Sequence, residues 1–123
     1  MLDSDKGTVV LVGQNLFFLG RVEALAEPLG YDVQWATTES VFWKFYASCR
    51  PALVLVDLEG NESIWSNVLE NIDHPEDGGV KLVAFGPHEN VAMLERAKNL
   101  GCGLVLNKGE FNRDLLKIIE SLE

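Results

Sequence analysis

The chain has 123 residues, 47% of them apolar and 24% charged, enough for one domain that buries most of its apolar surface without disulfides or a structural metal. The net charge of −9, with ten Lys and Arg scattered along the chain, argues against nucleic acid as a partner, because phosphate binding needs a basic stripe. No apolar run approaches the ~20 residues of a membrane span, which argues against a membrane, and the polar start Met1–Gly7 is no signal peptide and reads as a flexible segment, so a cytoplasmic protein is expected.

Thr8-Val9-Val10-Leu11-Val12 is a first strand, ended by Gly13-Gln14-Asn15. Asn15 is placed to cap a helix through Leu29 with a buried stripe of Phe18, Val22, Leu25 and Leu29. Gly30 suits the residue just past its end, while Pro28 removes one helical hydrogen bond from the last turn. Tyr31–Ala36 alternates polar and apolar residues, as an edge strand does. Thr37 or Thr38 then caps a helix to about Arg50, rich in aromatic residues: Phe42, Trp43, Phe45 and Tyr46. These rings cannot all share one helix face, which makes this helix a second choice for a partner-binding surface.

Leu53-Val54-Leu55-Val56 is a continuous apolar run, the mark of a strand covered on both faces, and Asp57 follows at once. Asn61–Ile72 carries Ile64, Trp65, Val68, Leu69 and Ile72 at helical spacing, and His74–Gly79 is a Pro/Gly loop. Val80–Phe85 is the fourth strand, stopped by Gly86-Pro87, with His88 on the loop beyond. Asn90–Leu100 is a helix ended by Gly101, with Met93, Ala97 and Leu100 on one face. Gly103–Leu106 is the fifth strand, leading into Asn107-Lys108-Gly109, and Phe111 to Leu122 is a last amphipathic helix. Cys49 and Cys102 have no metal-ligand spacing and read as buried, reduced thiols.

Strand and helix thus alternate along the whole chain, and right-handed crossovers convert that order into a five-stranded parallel sheet with helices on both faces, a three-layer α/β sandwich. In such sheets ligands and chemistry collect at the carboxyl edge, where Asp57 stands.

The five βα units, the strand-end Asp57 in Pro51–Leu58 and the lysine in Val105-Leu106-Asn107-Lys108 resemble the response-regulator receiver domain (CheY-like), from about Thr8 to Leu122. The resemblance implies the flavodoxin/CheY-like strand order 2-1-3-4-5. In that family an Asp is phosphorylated, with Mg²⁺ held by it and by an acidic pair ending the first strand. A Ser or Thr ending the fourth strand and a Lys ending the fifth bind the phosphoryl oxygens. Asp57 matches the acceptor and Lys108 the lysine, but the acidic pair falls on Gly13 and Gln14, and the hydroxyl position falls on Gly86. The aromatic position of the fifth strand falls on Val105, and the proline after the lysine is Gly109.

A carboxylate about 4 Å from a unit positive charge contributes about 4 kcal/mol at an effective dielectric near 20. Losing two of them weakens a Mg²⁺ site by roughly a thousandfold or more, even after desolvation is discounted. Glu59 offers one carboxylate back, from a loop that need not point inward. The expectation is therefore a pseudo-receiver: no enzyme, no cofactor, and a module for contact with other signalling proteins. Self-association through the fourth helix, fifth strand and fifth helix is the contact the resemblance implies. The pocket is expected from Gly13, Gln14, Glu59, Gly86 and Lys108 around an Asp57 paired with Lys108. One alternative is a genuine phospho-acceptor with a degraded Mg²⁺ site. Another is a flavodoxin-like small-ligand binder, against which stand the missing glycine-rich loop and the missing nucleophile–base pair.

Overall fold

A computed structural model describes residues 6–72 and 80–122. Five parallel strands, β1 (Gly7–Val12), β2 (Tyr31–Ala36), β3 (Leu53–Asp57), β4 (Lys81–Gly86) and β5 (Leu104–Asn107), form one sheet in the order β2-β1-β3-β4-β5. The helices are α1 (Leu16–Ala26), α2 (Glu39–Cys49), α3 (Glu62–Asn71), α4 (Val91–Asn99) and α5 (Lys108–Glu120). The expected topology is the observed one. Among the described residues no helix is long and apolar enough to cross a membrane.

Strand pleating divides the core in two. Val9, Leu11, Leu53, Leu55, Val83 and Phe85 face α1 and α5, where Phe18 and Val22 meet Phe111, Leu115 and Ile119. Phe85 and Phe111 stack with ring centres 3.8 Å apart, and Phe18 lies edge-on to Phe85 at 4.9 Å. On the opposite face Val10, Val12, Val54, Val56, Leu82 and Ala84 meet Phe42, Trp65, Val68, Leu69 and Ala97 of α2, α3 and α4. Leu53 to Val56 are wholly buried, and each such side chain contributes about 1.5–3 kcal/mol by leaving water. This two-sided burial is why β3 has no polar residue before Asp57.

Local chemistry sets the helix ends. Asn15, Thr38, Asn61 and Asn90 cap α1 to α4 through side-chain acceptors. The first helix stops at Ala26 rather than Leu29, because Pro28 lies in a separate 3₁₀ turn at Glu27–Leu29. Gly30 closes that turn in the left-handed region at φ 96°. Strand β1 opens at Gly7, one residue ahead of the expected Thr8, and the Lys6 N–H donates to the Gly30 carbonyl; residues 1–5 of the expected flexible segment lie outside the described ones. The last helix begins at Lys108, ahead of the expected Phe111. β5 runs straight into α5 because Asn107 and Glu110 form a reciprocal capping box, so Lys108 is the first helical residue instead of a strand-end one.

The aromatic residues of α2 turn mostly inward. Phe42 is buried, and Trp43, Phe45 and Tyr46 are half-buried against the same core. Cys102 is buried, as expected, and burial pushes its thiol up to about 12. Cys49 departs from expectation: it is exposed near the end of α2, its thiol donating to the Phe45 carbonyl.

Candidate functional site

The carboxyl edge of β3 and its neighbours forms an open cleft of about 530 Å³, lined by Gln14, Asn15, Leu16, Asp57, Glu59 and Gly60. Its floor is Asp57, the last residue of β3, only 4% exposed. The chain turns directly after it: the Glu59 N–H donates to Asp57 Oδ1 at 3.0 Å, and the Gly60 N–H donates to the Asp57 carbonyl. Burial raises the Asp57 carboxyl above its ordinary 3.8. The Glu59 N–H and the charge of Lys108 pull it down, and the Glu59 charge pushes it up.

Lys108 does not pair with Asp57. Its Nζ is held by Glu59 Oε1, and it lies over the Phe18 ring at 5.8 Å from the centre. The expected Asp57–Lys108 pair is thus replaced by a Glu59–Lys108 pair. The turn after Asp57 presents Glu59 at the same edge, and its carboxylate takes Lys108 at the start of α5. Glu59, expected as a solvated loop charge, is half-exposed and ion-paired. Among the described residues no Lys, Arg or His lies within ion-pair distance of Asp57.

The two positions without acidic side chains are structurally closed. At Gly13 the backbone comes so near β3 that a Cβ would sit 2.8 Å from the Cβ of Asp57. Gln14 ties three loops together: its Nε2 donates to the Thr37 carbonyl at 3.0 Å, and its Oε1 accepts from the Asn61 N–H at 3.2 Å. The side chain crosses Gly60, where a Cβ would meet Oε1 at 2.7 Å. Asn15 is used in capping α1, accepting from the Phe17 N–H. At Gly86 the missing side chain is replaced by neighbours, Leu58 Cβ at 3.3 Å and Met93 Sδ at 3.5 Å from the place a Cβ would occupy.

These donors do not fit Mg²⁺, which takes near-octahedral oxygen ligands. Of the two carboxylates that line the cleft, Asp57 and Glu59, the second is taken by Lys108, and the Gln14 oxygen is taken by Asn61. Among the described residues no group of three or more His, Cys, Asp or Glu is arranged to hold a metal ion.

Of the pocket residues expected from sequence, Gln14, Glu59 and Asp57 line the cleft, while Gly13 closes against Asp57. Lys108 reaches the group only through Glu59. Gly86 is buried behind Leu58 and outside the cleft lining. His88 is exposed beside Glu89 and apart from the cleft, and His74 lies outside the described residues. Leu16, the apolar lip, went unnoticed, although an apolar pair at the very start of a helix, Leu16-Phe17, was the available signal; both are 65% exposed.

No family model and no curated protein sequence matches the chain. Solved structures do. A response-regulator receiver domain protein (CheY-like) from Methanospirillum hungatei superposes with a TM-score of 0.75 at 22% identity, over 94% of this chain and 93% of that one. The fold is the CheY-like receiver fold. The N-terminal signal receiver domain of a two-component response regulator from Bacteroides fragilis gives 0.76 at 19% identity, over 94% and 95% of the two chains. The beryllofluoride-activated NtrC4 receiver domain dimer gives 0.71 at 17% identity, over 94% and 98%. On this fold Asp57 stands at the carboxyl edge of the sheet and Lys108 is held by Glu59 beside it.

Proposed function

We propose that the chain is a signal-transduction module of the pseudo-receiver type. It acts by protein–protein contact in the cytoplasm, and Asp57 does not pass through Mg²⁺-dependent phosphorylation. The observation that carries this reading is the approach of Gly13 to Asp57, which leaves no room for a side chain where the metal's acidic ligand would stand. Two further contacts support it. Lys108 is engaged by Glu59, so it is not free to neutralise an incoming phosphoryl group. The Gly86 position offers no hydroxyl, and its space is filled by Leu58 and Met93. A ligand shifts a two-state equilibrium only through contacts that differ between the states, and the residues for those contacts are missing.

Self-association through α4, β5 and α5 belongs to the same proposal. Val91, Leu104 and Leu116 are large exposed apolar residues on these elements, and the similar NtrC4 receiver domain is a dimer when beryllofluoride-activated. Sedimentation at rising concentration, with Leu116→Lys as the control, tests it. The decisive experiment for the site adds Mg²⁺ and beryllofluoride to ¹⁵N-labelled protein. The amides of Asp57, Glu59 and Lys108 are expected not to respond. Saturable shifts at millimolar metal would favour the genuine phospho-acceptor instead.

A further inference from the structure

Asp57 has no ion-pair partner among the described residues. It is 4% exposed, and its Oδ1 accepts the Glu59 N–H. Its Oδ2, turned towards Gly13, accepts no hydrogen bond from the described residues. That oxygen reaches the open cleft, yet its residue is only 4% exposed, so its charged form is poorly hydrated and a cation arriving through the cleft would stabilise it. The cleft above it is open, and its lip is apolar: Leu16 lines it, and Phe17 stands beside Leu16, both 65% exposed. Large apolar side chains left in water at the rim of a polar cleft mark a surface that something covers.

We propose that this cleft receives an arginine side chain of a partner protein, with the guanidinium on Asp57 Oδ2 and the aliphatic stem against Leu16 and Phe17. The proposal rests on reading the domain as an interaction module and names the chemistry of its partner. A guanidinium suits the site where a metal ion does not, because it brings its own fixed donors and needs no octahedral shell of ligands. It also suits the site better than an ammonium group, being more weakly hydrated and able to stack on an aromatic face such as Phe17. A second copy of this chain is a poor source of that side chain, because its own arginines are committed or remote. Arg21 is bonded to Asn112, Arg96 to Glu62 and Arg113 to Asp114, while Arg50 precedes β3 at the opposite edge of the sheet.

The test titrates the ¹⁵N-labelled chain with the capped tripeptide acetyl-Leu-Arg-Leu-amide and with its citrulline counterpart, which keeps the shape and removes the charge. The arginine peptide is expected to give saturable shifts at the amides of Gln14, Leu16, Glu59 and Gly60. Citrulline in the peptide, or Asp57→Asn in the chain, is expected to weaken binding by about ten- to hundredfold. Phe17→Ala, a change at an exposed position that leaves the core intact, is expected to weaken it severalfold with the rest of the spectrum unmoved. Equal affinity for the two peptides, or shifts away from the cleft, would overturn the proposal. So would binding indifferent to both substitutions. A parallel titration with MgCl₂ separates the two readings: saturable Mg²⁺ shifts at these amides count against the pseudo-receiver, whereas silence to both Mg²⁺ and the arginine peptide overturns the arginine receptacle alone.

Discussion

Replacing Gly13 by alanine probes the contact on which the site depends. The new Cβ would lie 2.8 Å from the Cβ of Asp57, about 1 Å inside the ordinary carbon–carbon contact of roughly 3.5–4.0 Å. Neither side has an easy retreat. Asp57 ends the central strand and is paired in register with Phe85, and the Gly13 N–H donates to the Ala36 carbonyl at 3.2 Å. Overpacking of this kind costs about 1–3 kcal/mol, and a φ of 157° in a residue with a side chain adds on the order of 1 kcal/mol, so about 2–4 kcal/mol is expected in total. With a slope near 2 kcal/mol per molar urea, the unfolding midpoint should fall by about 1–2 M at unchanged slope. Gly20→Ala is the control. Nothing lies within 4 Å of its added Cβ in exposed α1, and the change should raise stability by about 0.5–1 kcal/mol. Gly13→Asp carries the same Cβ, so it should lose stability as Gly13→Ala does and gain no calorimetric affinity for Mg²⁺. A midpoint for Gly13→Ala within about 0.3 M of the parent, or a metal site restored in Gly13→Asp, would refute the reasoning.

Three further outcomes follow from the same contacts. Burial holds the Asp57 carboxyl above 3.8, against the pull of the Glu59 N–H and Lys108, so its contribution to stability is full below 3.8 and is lost as pH rises through the folded value. Asp57→Asn keeps an acceptor for the Glu59 N–H and should raise the urea midpoint at pH 7 while flattening that part of the pH profile; an unchanged midpoint would contradict this sign. Gln14→Ala removes the bonds to Thr37 and Asn61 and should cost about 1–2 kcal/mol, with faster hydrogen exchange at the Asn61 amide as its local signature. Asn107→Ala breaks the capping box of α5 and should cost about 1 kcal/mol, read from the same urea transition.

The sheet was legible because its signals are local and repeated. The run Leu53–Val56 is apolar on both faces because helices cover both, and the strand order follows from short right-handed crossovers. Side-chain caps such as Asn15 and Thr38 marked helix starts for the same reason: the acceptor and the amide it serves are two or three residues apart. The start of α5 was missed although Asn107-x-x-Glu110 is a capping signature, because Gly109 resembles a break. Pairing across the site was less accessible. Which of two carboxylates meets Lys108 depends on the turn that Asp57 makes with the Glu59 N–H, and on the exact start of α5. Neither is encoded by spacing alone.

The loss of the acidic position and the loss of the hydroxyl position look independent in the sequence, with Gly13 and Gly86 standing 73 residues apart, yet the sheet brings both to the end of one strand. β3 lies between β1 and β4, so Gly13 after β1 and Gly86 at the end of β4 flank the end of β3 from its two sides. Each glycine admits a close neighbour: the Cβ of Asp57 fills the space at Gly13, and the side chain of the next residue, Leu58, fills the space at Gly86. Leu58 is fixed there by its N–H on the Phe85 carbonyl and by the Trp65 indole N–H on its own carbonyl at 3.1 Å. Restoring a side chain at position 86 alone would therefore press on Leu58, which must give by a few tenths of an ångström. Restoring an acid at 13 alone would push on Asp57 itself. The two sides thus differ in degree: a side chain at 13 must first move the end of β3, every residue of which is buried, whereas one at 86 asks only for a small shift of Leu58.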